Sequence, residues 1–600
     1  MSSWKAAGWL TLLVMATGLP FVQRAYFVDD YYHMQMARGI LFQPTRPYDF
    51  RTDDAGINVP GWERGHWPRM VNPPLFHYLM AGVMRVWGEE IWKLRTASLL
   101  FSLISLLCMY FLGSRFVSRP LAAASLLAVT PAYWLTSYSL LIDSALSAFF
   151  LSTLLLWVIA LERRRVGWAL AAGFVMGLTL LVKYFGVLVL PVAFAWQWMD
   201  PERRRWRFGY AAYACCFVLQ LLWGLWNIVT YGQMHFLATL PRGGHSSSIG
   251  GLVFISLLLG SLYVSGQWRF GKTRVSKVLL LLSGASLVLV LGFARAGSLT
   301  TWIQSFYVDK IVVLGAFIGG TTVFIWFTIW SIDRDSWKAM AGIWTLMALL
   351  AIALQSKVGG FTGLQAFFLA GWLGITLFFL TRVSTTQGGT PAQKFLLVWI
   401  GLGLLELIGV MPWTAGRYLL LILPPMIWSF VTLVETSAGR RTWQAAWAGT
   451  ALLGLFLAIS DFQQANTIQG LASRLVSERP TFEKLAPHAF HRWYYLADTF
   501  DGSQPYLGPL GWENVFPNQT FKAGDLFLKA RYRKSSWWTM ANPERFKMVY
   551  AYEIKSKIPL RVMDVPASAG FYASCWGALP YAVTRHPLER FELYIVRDDG

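Results

Sequence analysis

The chain has 600 residues, 55% of them apolar or aromatic, and a formal net charge of +21. Its mean hydropathy of +0.45 excludes an ordinary soluble enzyme, because long uncharged runs such as "SALSAFFLSTLLLWVIAL" read as membrane-crossing helices. The charge invites a nucleic-acid reading, which its distribution excludes. With the N-terminus placed inside, twenty Lys and Arg fall in one alternate set of connections and six in the short connections of the other, the asymmetry that orients membrane proteins.

In chain order, the first apolar span lies near 6–22. It has no small-residue cleavage site, so it reads as a retained anchor. A long, polar, aromatic loop follows over 23–91. It contains "DDYYHMQMARGIL", in which Tyr32, Met36 and Ile40 share one helical stripe. The acidic pair Asp29-Asp30 stands where an N-terminal cap belongs. "NPPLFHYLMAGVMRVWG" predicts a second amphipathic helix after Pro73-Pro74, ending at Gly88. Both suit an interfacial position, with aromatic faces at headgroup level.

Further spans are predicted near 92–113, 120–137, 144–161, 167–182, 184–198, 208–230, 249–265, 278–293, 311–331, 339–354, 361–380, 395–412, 417–434 and 444–460. Each needs roughly 20 mostly apolar residues, which gives about 13–15 spans in all. Residues 461–600 contain none, and an odd span count puts them outside. There "FELYIVRDD" alternates like a strand, and "RFKMVYAYEIKS" is a second candidate. The expected fold class is mainly α: a polytopic transmembrane helical bundle, residues 1–460, with a C-terminal extracytoplasmic α/β or α+β domain, residues 461–600. Cys108, Cys215 and Cys216 fall in apolar spans and Cys575 stands alone, so no disulfide framework is implied.

Three acids, Asp29, Asp30 and Asp143, fall on the predicted outer face. Each is either a helix cap or a general base or metal ligand at a membrane-edge cavity. Lys183 separates two apolar spans in "LTLLVKYFGVLVLP" and is either a snorkelling side chain or a phosphate ligand. Arg417 in "RYLLLILPPM" faces the same way. Cations there run against the orientation rule, and a lipid-linked phosphate would account for them. His235 and His245 in "YGQMHFLATLPRGGHSSS", with nearby acids, are candidate ligands for a divalent metal ion, though their spacing matches no strong motif. His66 and Glu63 are weaker candidates of the same kind. Glu406 lies inside a span and is either functional or a buried structural acid. "NQT" at Asn518 fits a glycosylation acceptor.

"DDYYHMQMARGIL" resembles the "DE-x-x-Y-x-x-x-A-R-x-I-L" segment of GT-C-fold glycosyltransferases, in the branch that holds protein O-mannosyltransferases and the lipid A aminoarabinose transferase. "NPPLFHYLMAGVMRVWG", "KLRTASLLFSLISLLCMYFLGSRF", "LLIDSALSAFFLSTLLLW", "LVKYFGVLVLP" and "RYLLLILPP" resemble later segments of that branch, in order, over most of residues 20–435. The expected location is a bacterial inner membrane, with the N-terminus cytoplasmic by the charge asymmetry. The resemblance implies a polyprenyl-phosphate-linked sugar as donor and an envelope glycan, lipid or protein as acceptor. It assigns Asp29 as catalytic acid, Asp30 as the acidic position after it, Asp143 as a second outer-face acid, and Lys183 and Arg417 as donor-phosphate ligands. The chain departs from the branch at "VNPP", where Val71 and Asn72 replace a glutamate metal ligand and a lysine phosphate contact. A transporter or flippase for a lipid-linked sugar is the competing reading; the two related halves common among transporters are absent.

Overall fold

The structure, a computed structural model, describes residues 2–50, 72–236, 308–332, 342, 345, 363–385, 390–411, 413–437, 440–480, 493–495, 502–515, 520–532, 543–556 and 558–597. The spans expected near 249–265 and 278–293 lie outside these residues, as does nearly all of that near 339–354. So do His245, His66, Glu63 and Asn518.

The described part is mainly helical. Five helices are long and apolar enough to cross a membrane: Ile91–Gly113, Ile142–Arg163, Arg207–Tyr231, Pro391–Gly409 and the two-part Arg441–Ser477. Shorter apolar helices stand between them. Around the future site we label α1 (Ser3–Gly18), α2 (Asp30–Phe42), α3 (Leu75–Trp87), α4 (Ile91–Gly113), α5 (Pro120–Val129), α6 (Pro131–Ser137), α7 (Ile142–Arg163) and α8 (Val166–Val182). α7 is the central one, packed against α4 and α8. α8 in turn meets the helix Ala211–Tyr231 so closely that a β-carbon on Gly173 would lie 2.2 Å from the Ala212 carbonyl oxygen. Small residues permit such backbone approach between membrane helices.

Two predicted spans are broken rather than continuous. The span near 120–137 divides into α5 and α6 at Pro131, which forces Thr130 into an extended conformation (φ −66°, ψ 128°). The span near 311–331 bends by 78° between its two halves. Gly319 and Gly320 precede the bend, and the Thr321 and Thr322 hydroxyls donate to the Phe317 and Ile318 carbonyls inside the last turn. Helices kink where small residues and hydroxyl side chains loosen the backbone ladder.

The helix Arg440–Ala465 runs through the expected boundary at 460 and is followed by the helix Thr467–Ser477. Beyond it the described residues form nine strands: β1 (Trp493–Tyr495), β2 (Trp512–Asn514), β3 (Leu526–Ala530), β4 (Phe546–Ile554), β5 (Leu560–Arg561), β6 (Met563–Asp564), β7 (Ala569–Gly570), β8 (Ala582–Val583) and β9 (Glu589–Val596). The two segments read as strands become β4 and β9, paired antiparallel with Tyr550 opposite Leu593. They belong to a five-stranded mixed sheet ordered β2-β1-β3-β9-β4. This sheet has its own core, with Leu526, Phe591 and Leu593 against Ile468 and Leu471.

The stretch between β4 and β9 does something else. Its residues Val562, Phe571, Tyr572 and Leu579 are buried in the same core as the membrane helices. Ser460 Oγ donates to the Leu560 carbonyl at 2.6 Å, and Tyr581 OH to the Gly320 carbonyl at 3.0 Å. The C-terminal region is therefore a sheet carrying a long insert that is built into the helical body.

Candidate functional site

The two acids of the "DD" pair face different surroundings. Asp29 occupies the N-cap position of α2 without forming a capping hydrogen bond. Asp30 is the first residue of the helix and is fully buried.

Asp30 sits in a saturated network. Its Oδ2 pairs with Arg24 Nη1 at 2.9 Å and Arg95 Nη2 at 2.7 Å, and its Oδ1 accepts from the Leu140 N–H at 2.9 Å. Arg24 also pairs with Asp461 at 2.7 Å and donates to Tyr572 OH at 3.0 Å. Tyr572 and Tyr138 hydroxyls donate to Asp461 at 2.7 and 2.9 Å. Arg95 donates further to the carbonyls of Arg24, Ala25 and Tyr138. Burial alone would raise the Asp30 carboxyl, but Arg95, Arg24 and these hydrogen bonds hold it below the usual carboxylate range. Its side chain is inaccessible to solvent.

That network fixes the turn before α2. Val28 has φ +57°, a left-handed conformation that a β-branched residue adopts only under constraint. The constraint comes from both sides: Arg95 holds the Arg24 and Ala25 carbonyls, and the Phe27 N–H donates to Asp30 at 3.3 Å. The strained turn presents the next side chain, Asp29, to a second cluster.

This second cluster is made of residues from four distant segments. Arg417 Nη2 lies 3.0 Å from Asp29 Oδ2, and its Nε lies 3.5 Å from Asp143 Oδ2. Lys183 Nζ lies 2.7 Å from Asp143 Oδ1. Asp143 stands in the first turn of α7, and Lys183 is the extended residue that ends α8. Arg417 is the second residue of a short 3-10 stretch, Gly416–Leu421. The Tyr418 ring flanks both cations, 4.6 Å from Lys183 Nζ and 5.5 Å from the Arg417 guanidinium. Arg417 Nη1 is buried without a well-aligned hydrogen-bond acceptor among the described residues. Asp29 retains the most solvent contact of the four, with 16% of its side chain exposed.

The C-terminal insert holds the Arg417 loop. The Gly416 N–H donates to the Phe571 carbonyl at 2.8 Å, and Thr414 and Ser574 exchange two further bonds. A β-carbon at Gly416 would lie 2.4 Å from the Phe571 ring, so only glycine fits. Phe571 thus positions the Arg417 loop, while its neighbour Tyr572 joins the Asp30 network.

A buried histidine pair adjoins Asp29. His33 Nδ1 is 3.0 Å from His77 Nε2, and its backbone N–H donates to the Asp29 carbonyl at 3.1 Å. Burial pushes the His33 imidazole down to about 4, against the upward pull of Asp29; Arg417 pushes it further down. The folded form therefore keeps His33 neutral while an unfolded chain protonates it near 6.5. Stability from this group is complete above about pH 6.5 and is lost as pH falls from there toward about 4. His33→Gln is expected to flatten that acid limb when unfolding is followed in detergent between pH 4 and 7; an unchanged limb would assign it to other groups.

The remaining candidates fall elsewhere. Neither oxygen of Glu406, buried in the helix Pro391–Gly409, has a hydrogen-bond partner among the described residues, and Lys183 is the charge that acts on it. His235 Nδ1 is 2.8 Å from Tyr184 OH, and its ring stacks on Tyr48 at 4.2 Å. Among the described residues no three His, Cys, Asp or Glu side chains gather as a metal site. Asp29 and Asp143 are paired with Arg417 and Lys183 here, and His245, the second candidate ligand, lies outside the described residues.

The family described as dolichyl-phosphate-mannose-protein mannosyltransferase matches residues 71–226. That segment carries His77, Arg95, Asp143 and Lys183. The GT-C glycosyltransferase resemblance read from motifs is matched there by an independent family pattern. No curated protein matches the chain. Among solved structures it is similar to the Archaeoglobus fulgidus oligosaccharyltransferase in the apo form, at 12% identity and a TM-score of 0.48, over 86% of this chain and 64% of that one. It thus spans less than two thirds of that protein's length. It is also similar to ArnT from Cupriavidus metallidurans bound to undecaprenyl phosphate, at 14% identity and a TM-score of 0.34, over 87% of this chain and 93% of that one.

Sequence reading missed Arg24, His33, His77, Arg95, Asp461 and Tyr572. Asp461 carried a usable signal, because it is an acid at the end of an apolar span. Arg95 carried none beyond its place inside a quoted segment, and Arg24 carried none at all.

Proposed function

We propose that this membrane protein transfers a sugar from a polyprenyl-phosphate donor to a hydroxyl of an envelope lipid, polysaccharide or protein, at the extracytoplasmic face. The carrying observation is the convergence of Lys183 and Arg417 on Asp29 and Asp143, four segments meeting in one ion-paired cluster. The matched family, whose description names dolichyl phosphate mannose, supports the donor class.

In this reading the acceptor oxygen bonds to the anomeric carbon as the bond from that carbon to the phosphate oxygen breaks. The hydroxyl proton passes to Asp29. The electron pair of the broken bond stays on polyprenyl phosphate, whose added charge is met by Arg417 and Lys183. Single displacement inverts the anomeric centre. Asp143 positions both cations, and Asp30 acts by fixing the turn rather than by touching substrate. The sheet and the first loop are proposed to cover the acceptor side.

The test is incubation of purified protein with a polyprenyl-phosphate sugar and an acceptor extract, following release of polyprenyl phosphate. Release coupled to a glycosylated acceptor supports transfer. Movement of intact donor across a vesicle without release supports the carrier reading, which the broken span over 310–329 favours. Lys183→Met is expected to lower donor-dependent turnover by about 10²–10³, the usual cost of losing one electrostatic contact to developing charge. Unchanged kinetics would leave Lys183 as an interfacial anchor.

A further inference from the structure

We propose that Arg417 is a shuttle, held by Asp29 in the resting enzyme and passed to the donor phosphate as Asp29 takes the proton. The inference rests on the lipid-phosphate reading above and concerns how that site is regulated.

The two arginine-centred clusters differ in saturation. Arg24 and Arg95 are each locked by several acceptors, both carboxylates and backbone or tyrosine oxygens. Arg417 is bound loosely by comparison. Its only carboxylate partners among the described residues are Asp29 at 3.0 Å and Asp143 at 3.5 Å, its remaining neighbour is the Tyr418 side chain of its own loop, and its buried Nη1 has no well-aligned acceptor among the described residues. Its loop is anchored through the backbone of Thr414 and Gly416, not through its guanidinium. The head group is therefore free to change partner while the backbone stays put. Lys183, by contrast, keeps its 2.7 Å pair with Asp143, which leaves Arg417 as the mobile cation.

The charge balance of the reaction fits such an exchange. Before transfer, Asp29 is an anion and the donor phosphodiester carries one negative charge. After transfer, Asp29 has gained the acceptor proton and the leaving phosphate has gained one charge. The anion that holds Arg417 disappears at the same moment as a new one forms beside it. In a buried site an unpaired charge is costly, so the guanidinium follows the charge. Resting Asp29 is masked by Arg417, and donor binding begins to unmask it, which makes donor-first binding the favoured order. When Asp29 later loses its proton to solvent, it reclaims Arg417 and helps expel polyprenyl phosphate.

A specific and unusual consequence follows. Asp29→Asn mimics the protonated base, so this inactive variant should bind polyprenyl phosphate more tightly than the native protein, by about tenfold. Asp29→Ala should shift affinity in the same direction. Combining Asp29→Asn with Arg417→Met should erase the gain. The experiment is calorimetric titration of the full-length protein in detergent with undecaprenyl phosphate, and separately with inorganic phosphate. Tighter lipid-phosphate binding that disappears in the double variant supports the shuttle. Native-like or weaker binding in both Asp29 variants, with the native protein still binding, overturns the shuttle and leaves the donor reading standing. No binding by the native protein or any variant overturns both. A gain for inorganic phosphate that equals the gain for the lipid shows that phosphate alone is the recognised group, which still supports the shuttle.

Discussion

Asp29→Asn is expected to yield a folded, membrane-inserted protein with transfer reduced by about 10²–10⁴, the usual contribution of a positioned general base. The substitution is nearly isosteric. It removes one half of an ion pair at the more solvent-exposed end of its cluster, where 16% of the Asp29 side chain is accessible, so the fold has little reason to respond. Arg417 retains Asp143 as a partner at 3.5 Å. The measurement is release of polyprenyl phosphate per minute beside a melting curve. Near-native turnover would remove Asp29 from the chemistry, whatever the fate of the binding experiment above.

Asp30→Ala, one residue away, is expected to do the opposite: to cost the fold about 3–5 kcal/mol, because it leaves buried charge uncompensated. Arg24 and Arg95 both lose their shared carboxylate, at a place where all three side chains are inaccessible to solvent. The Leu140 and Phe27 N–H groups lose their acceptor as well. The turn through Val28, held at φ +57°, then has less to keep it strained. The protein should melt at a clearly lower temperature, and whatever remains folded should transfer poorly because Asp29 is no longer presented. The readout that separates this from a catalytic role is the unfolding midpoint. A normal midpoint with lost activity would place Asp30 in the chemistry instead.

The contrast explains what could be read from the sequence. Hydropathy located nearly every helix that the structure describes, usually within a few residues, because a segment without charges has to hide its backbone in helical hydrogen bonds once water is excluded. The alternation of "RFKMVYAYEIKS" and "FELYIVRDD" was likewise legible as strands β4 and β9. Within the acidic pair, spacing and residue type give no reason to prefer one residue; only the family resemblance singles out Asp29. The partners that separate them are Arg24, six residues before Asp30, Arg95, sixty-five after it, and Asp461, which is 437 positions from Arg24. Such distances leave no periodic trace.

The insert between β4 and β9 was not legible for a related reason. The insert over 560–582 uses two-residue strands, β5 to β8, too short to show a period of their own. Their places are set by partners in other segments: Gly416 for Phe571, Gln464 for Met563 and Gly320 for Tyr581. Deleting 461–600 would therefore strip the helical core of Phe571 and Tyr572. Point substitutions are the sharper probe of that region.

Composition and order of residues were enough to set the helical class, to locate most of the described spans and to mark Asp29, Asp143, Lys183 and Arg417 as charges that needed a reason. Which carboxylate meets Arg417 and which is sealed between Arg24 and Arg95 arose only on folding. Burial and pairing are properties of neighbours in space, and here those neighbours come from opposite ends of the chain.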